Sequence, residues 1–155
     1  MQRFSDLVAA LMGGSLSWAP LCLVRLIIEY SGMEGIEFGP AMLRQMRACD
    51  MSGSSLRECT FKEGSLRGVS LAGADLTGST FLNMNLTGVN LSAALLDKAA
   101  FLQCSLLGAN MQRVSFSDAI LEDTETAYAA FSEGSGEVTV GQLARTTMKR
   151  ARIQV

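Results

Sequence analysis

The sequence predicts an all-β solenoid flanked by helical caps, and three features of its 155 residues carry that prediction. Every fifth residue from Met51 to Leu121 is Leu, Phe or Met, the residue two places before each is small or compact, and both ends abandon the pattern. The large register runs Met51, Leu56, Phe61, Leu66, Leu71, Leu76 and on to Leu121 without a break in fifteen positions. Those three residue types make up about a quarter of the chain, so chance would give such a run with odds on the order of one in a billion. The small register runs Cys49, Ser54, Cys59, Gly64, Val69, Ala74 and on to Ala119, with Met84 its one bulky member.

A period of five fits neither the 3.6 of an α-helix nor the alternation of a long strand. Positions two apart do share one side of a short extended segment, so the pattern describes short segments with a turn after each. The turn chemistry agrees. Asp50, Thr60, Asp75, Asn85, Asn90 and Asn110 precede large residues, and Gly53, Gly68, Gly73, Gly78, Gly88 and Gly108 follow two places after them. Residues 41–155 contain no proline, as expected where backbone N–H groups bond to neighbouring coils.

Ala-Asp-Leu-Thr-Gly at 74–78 and Val-Asn-Leu-Ser-Ala at 89–93 show a unit that resembles the A(D/N)LXX consensus of the pentapeptide-repeat family, over residues 49–123. The resemblance implies a right-handed quadrilateral β-helix, four pentapeptides to a square coil, with the small and large residues inward. Fifteen repeats then make just under four coils. A twenty-residue coil stacks positions twenty apart, and Phe61, Phe81 and Phe101 stand at that spacing, followed by Leu121. They are expected to form a ladder inside one face. Leu56, Leu76 and Leu96 stack in the next, and Leu66, Leu86 and Leu106 in another.

A solenoid needs its ends covered, because they expose core and unpaired backbone. Residues 1–48 are expected to form a hydrophobic helical N-terminal cap or docking segment, with helices over 4–12 and 20–30 separated by Gly13-Gly14-Ser15. The stretch 7–28 carries Arg25 as its one charge and is long enough to span a bilayer, although Gly13, Gly14 and Pro20 interrupt it. Docking on protein is the primary expectation and membrane contact the alternative. Residues 124–155 are expected to form a C-terminal cap helix and a basic arm. A short helix over 127–131 precedes a turn, and a helix over 141–152 sets Leu143, Ala144, Thr147, Met148 and Ala151 opposite Arg145, Lys149, Arg150 and Arg152.

Composition narrows the function. There is no histidine, which removes the commonest general base and most zinc chemistry, and no phosphate-binding or dinucleotide motif is present. No catalytic residue, metal site or cofactor is predicted. Cys22, Cys49, Cys59 and Cys104 lack metal-ligand spacing and read as buried thiols of a reducing compartment, which points to the cytoplasm, with membrane association through 7–28 as the alternative. The candidate contact residues are apolar ones facing outward, Leu82, Leu102, Leu107 and Ile120, together with the basic Arg145, Lys149, Arg150 and Arg152. They suggest a non-enzymatic scaffold, a small subunit of a bacterial assembly, that binds a protein partner or forms a homo-oligomer through its terminal helices.

Two other functions compete. Some members of the family mimic duplex DNA and protect gyrase from quinolones. Here Arg57, Lys62, Arg67, Lys98 and Arg113 interrupt eight acids over 49–123, the net charge is −2, and just under four coils give a short rod. No direct nucleic-acid binding is expected. The second competitor, a membrane-associated scaffold or secreted effector, rests on residues 7–28 alone.

Overall fold

A computed structural model describes residues 34–47, 50–115, 117–126, 129–130 and 147–149. Its organising contact is a parallel bridge between residues twenty apart, formed at the position just before each large residue: Asp50 with Ser70, Ser55 with Asp75, Ser65 with Asn85. Asp75 serves as the example. Its N–H donates to the Ser54 carbonyl at 2.9 Å and its carbonyl accepts from the Leu56 N–H at 2.7 Å. Both polar groups of the bridging residue are used, one toward the previous coil and one back to it, which is why a proline could not stand there. Four such columns, five residues apart, close each twenty-residue coil into a solenoid.

On three of the faces the chain turns at once. The N–H three places after the large residue donates back to its carbonyl, as from Ala74 to Leu71 at 3.0 Å, and the residue between them at the third turn position has positive φ, such as +66° at Gly73. That geometry explains the recurring glycine, since a side chain there is strained. The turn also explains the Asp and Asn before the large residue. Their side chains accept the N–H two places on, from Thr77 to Asp75, Thr87 to Asn85, Ser92 to Asn90 and Gln112 to Asn110, at 3.0–3.1 Å.

The fourth face differs in backbone as well as in side chain. There the bridge widens into three-residue strands, β2 (Thr60–Lys62), β3 (Thr80–Leu82), β4 (Ala100–Leu102) and β5 (Ile120–Glu122). Phe61, Phe81 and Phe101 fill it from inside, all buried. Successive rings sit 4.7–4.8 Å apart and within 6° of parallel, because one rotamer repeated on rungs at ordinary inter-strand spacing must give an offset stack. The expected ladder is present, and it is longer than expected.

Phe38 adds a fourth ring, stacked 4.7 Å from Phe61. It belongs to β1 (Glu37–Phe38), which pairs with β2, so part of the segment assigned above to a cap is a rung of the sheet. From Phe38 to Met51 the chain spends thirteen residues where the repeat would spend ten, and α1 (Pro40–Met46) absorbs the surplus. Pro40 starts this helix where its missing N–H costs nothing. Leu43 and Met46 are buried, and Leu43 packs so closely over Gly64 that a Cβ on Gly64 would collide with the Leu43 side chain. Gly64 in the small register thus makes room for the helix. The helices expected over 4–12 and 20–30, and the stretch 7–28, lie outside the described residues. Among the described residues no helix is long and apolar enough to cross a membrane.

The C-terminal expectations need correction. Pairing continues beyond residue 123, with Glu125 bridged to Ser105 and Ala130 to Asn110, so Ala130 is a rung of the coil where a short helix over 127–131 is expected, while 127, 128 and 131 lie outside the described residues. A helix over 141–152 is contradicted at its centre. Thr147–Lys149 forms β6, parallel to β5, with Leu121 in register with Met148 and Glu122 with Lys149. Three residues of an amphipathic pattern cost little to extend when an open sheet edge offers them hydrogen bonds. The described sheet has six rungs in the order β1-β2-β3-β4-β5-β6.

Candidate interaction face

The interior is closed to chemistry. Large and small registers fill it, and its few polar side chains bond to coil carbonyls: Ser54 to Met51 and Ser79 to Leu56, both at 2.6 Å, and Thr124 to Phe101 at 3.0 Å. Cys59 and Cys104 are buried thiols. Burial pushes the Cys104 thiol up to about 11, although the Met84 and Leu102 backbone opposes it, and the Cys59 thiol is raised by the same cause. A thiol so held is a packing group rather than a nucleophile. Among the described residues no cluster of three or more metal-ligating side chains exists.

Outside, the phenylalanine face stands apart. Its strands leave two outward columns, one before and one after the core residue. The first reads Thr60, Thr80, Ala100, Ile120 and the second Lys62, Leu82, Leu102, Glu122, in backbone register throughout. Leu82 and Leu102 are paired neighbours in register, and both are half-buried. Ile120, at 38% of its full exposure, and Leu95, at 44%, are the large apolar residues most open to solvent among those described. Leu107 lies on the adjoining face beside Leu106 and is half-buried. Of the basic residues expected to act, Lys149 falls in β6 in register with Glu122, whereas Arg145, Arg150 and Arg152 lie outside the described residues.

Two contributors escaped the sequence reading. Leu95 occupies a bridging position between Asp75 and Ser115 on the preceding face, a place held by Asp, Asn or Ser in the other isolated bridges from 50 to 115, and that exception was the available signal. Lys62 was noted only as a dispersed charge, yet it closes one end of the apolar columns in an ion pair with Glu37 at 2.5 Å. The hydrogen bond from that carboxylate raises the Lys62 pKa and keeps the ammonium charged.

The opposite face is its counterpart. Over Met51, Leu71, Leu91 and Met111 it displays Asp50, Ser70, Asn90 and Asn110, with Ser52, Ser92 and Gln112 beside them. Here the carboxylate and amide oxygens are already engaged in the turns.

Parallel rungs turned every fifth residue about a filled core define a β-solenoid whose individuality lies on its surface. The chain belongs to the pentapeptide-repeat family: the family's pentapeptide repeat region matches residues 54–131, half of its length. Among solved structures it is similar to Rfr23, a pentapeptide repeat protein from the cyanobacterium Cyanothece 51142, at 16% identity and a TM-score of 0.55, with 79% of this chain and 83% of that one covered. It also matches QnrB1, a plasmid-mediated fluoroquinolone resistance protein, at 13% identity and a TM-score of 0.35, covering 81% and 79% of the two chains. A pentapeptide repeat protein of the Arabidopsis thaliana thylakoid lumen matches at 25% identity and a TM-score of 0.30, covering 79% and 61%. No curated protein matches the chain.

Proposed function

We propose that the chain is a non-catalytic scaffold that binds a protein partner through its phenylalanine face. One observation carries the reading: Leu82, Leu102, Ala100 and Ile120 form contiguous outward columns where the opposite face carries Asp, Asn and Ser. Outward apolar residues contribute nothing to turn formation, and a contiguous apolar strip on a regular surface marks a contact site. The buried reduced thiols suit a cytoplasmic protein. A DNA-mimicking role finds no support in the surface charge, because Arg57, Lys62, Arg67, Lys98 and Arg113 break up the acids that would stand for phosphates. The test places a photo-crosslinking side chain at Leu102 or, as control, at Gln112 on the opposite face. Irradiation in native cells should give a protein adduct from position 102 and none from 112. Equal labelling from both, or none from 102, would remove the interaction face.

A further inference from the structure

The outward column after the core residue reads Lys62, Leu82, Leu102, Glu122 on four consecutive rungs. Reversed, that order exchanges a cation for an anion at each end and leucine for leucine in the middle. We propose that the phenylalanine face pairs with the same face of a second copy, the two rods antiparallel about a two-fold axis passing between the Leu82 and Leu102 rungs. The proposal rests on reading this face as an interaction surface and names its occupant.

Geometry selects the orientation. A two-fold axis along the strand direction reverses the rungs but lays each column over its own counterpart. Lys62 then meets Glu122 of the second copy, Leu82 meets its Leu102, and in the other column Thr80 meets its Ala100 and Thr60 its Ile120. A two-fold axis along the rod keeps the rods parallel instead and lays one column over the other. Lys62 would then face Thr60 and Glu122 would face Ile120, so neither charge would meet an opposite one in the second copy. The antiparallel arrangement alone satisfies both.

Size sets the strength. Six rungs at ordinary strand spacing and a three-residue width give a face of about 25 Å by about 10 Å, well below the ~800 Å² per partner of a standard stable complex, so the dimer is weak. The full chain would be followed by sedimentation equilibrium from about 10 µM to 1 mM, the range in which a weak complex forms. Lys62→Glu alone and Glu122→Lys alone each create two like-charge contacts and should weaken self-association at least about tenfold. An equimolar mixture of those two variants regenerates both ion pairs, one of them with its signs exchanged, and should recover most of the self-association of the unmodified protein. Circular dichroism of each variant confirms folding. Weakened single variants with a restored mixture support the antiparallel pairing. A chain monomeric to 1 mM, a dimer indifferent to either reversal, or a mixture no better than its components overturns it. A monomeric chain that still crosslinks another protein from Leu102 would end the self-pairing and leave the scaffold reading intact.

Discussion

The phenylalanine face and the asparagine face across the rod are alike inside and unlike outside. Both bury an unbroken column, Phe38 to Leu121 on one and Met51 to Met111 on the other. On the asparagine face the outward side chains work locally, as Asn90 and Asn110 accept the N–H groups of Ser92 and Gln112. On the phenylalanine face Leu82 and Leu102 close no turn and cap nothing. The inner registers therefore specify the coil, whereas outer residues divide into those used by the coil and those left over for another molecule.

Truncating the ladder should do the most damage. Phe81→Ala removes a ring stacked on both sides and is expected to cost about 3–5 kcal/mol in urea unfolding, more than Leu91→Ala inside the asparagine face, for which the ordinary range is ~2–5 kcal/mol. Equal or reversed costs would show that the stack adds nothing beyond burial. Next comes the helical insert. Gly64→Ala drives a methyl into Leu43 and should destabilise by about 1–3 kcal/mol. A double-mutant cycle with Leu43→Ala checks the cause, since the penalty should largely vanish when the obstructing side chain is shortened.

Outer substitutions should be milder and unequal. Asn90→Ala loses the bond to the Ser92 N–H and is expected to cost about 0.5–1.5 kcal/mol. Asp75 offers a pH signature. Burial alone would raise its carboxyl, but hydrogen bonds from Thr77 and the Arg57 guanidinium outweigh that and hold it below its ordinary 3.8. A carboxyl depressed by folding lends stability that is fully present above its unfolded value and lost as pH falls through its folded one. Unmodified protein should therefore lose more stability than Asp75→Asn on acidification below 3.8, by less than about 1 kcal/mol because the pair is partly solvated. Thermal melts at pH 7 and pH 2.5 would read the difference.

Most of the coil was legible because its cause is local and repeated. The turn residues, the two registers and the twenty-residue ladder each follow from one pentapeptide seen many times. What escaped is what leaves the period. Phe38 lies 23 residues before Phe61 rather than twenty, with α1 absorbing the offset, so no spacing rule could reach it. Met148 lies 27 residues after Leu121 within a stretch patterned like a helix, and sheet pairing overrode that preference. The candidate face was half legible. Leu82, Leu102 and Ile120 followed from counting outward positions, but the closure of their columns by Lys62 and Glu122 required the strands to be aligned.

The central claim is that the outward leucines serve association and the inward residues serve folding, and the double variant Leu82→Asp/Leu102→Asp addresses both halves in one sample. Far-UV circular dichroism and the thermal midpoint would be recorded beside sedimentation equilibrium on the full chain. The account predicts an unchanged spectrum, a midpoint within a few degrees of the unmodified protein, the modest shift expected of surface substitutions, and a monomer at every concentration. Loss of the β spectrum, or a folded variant that associates as before, would contradict it.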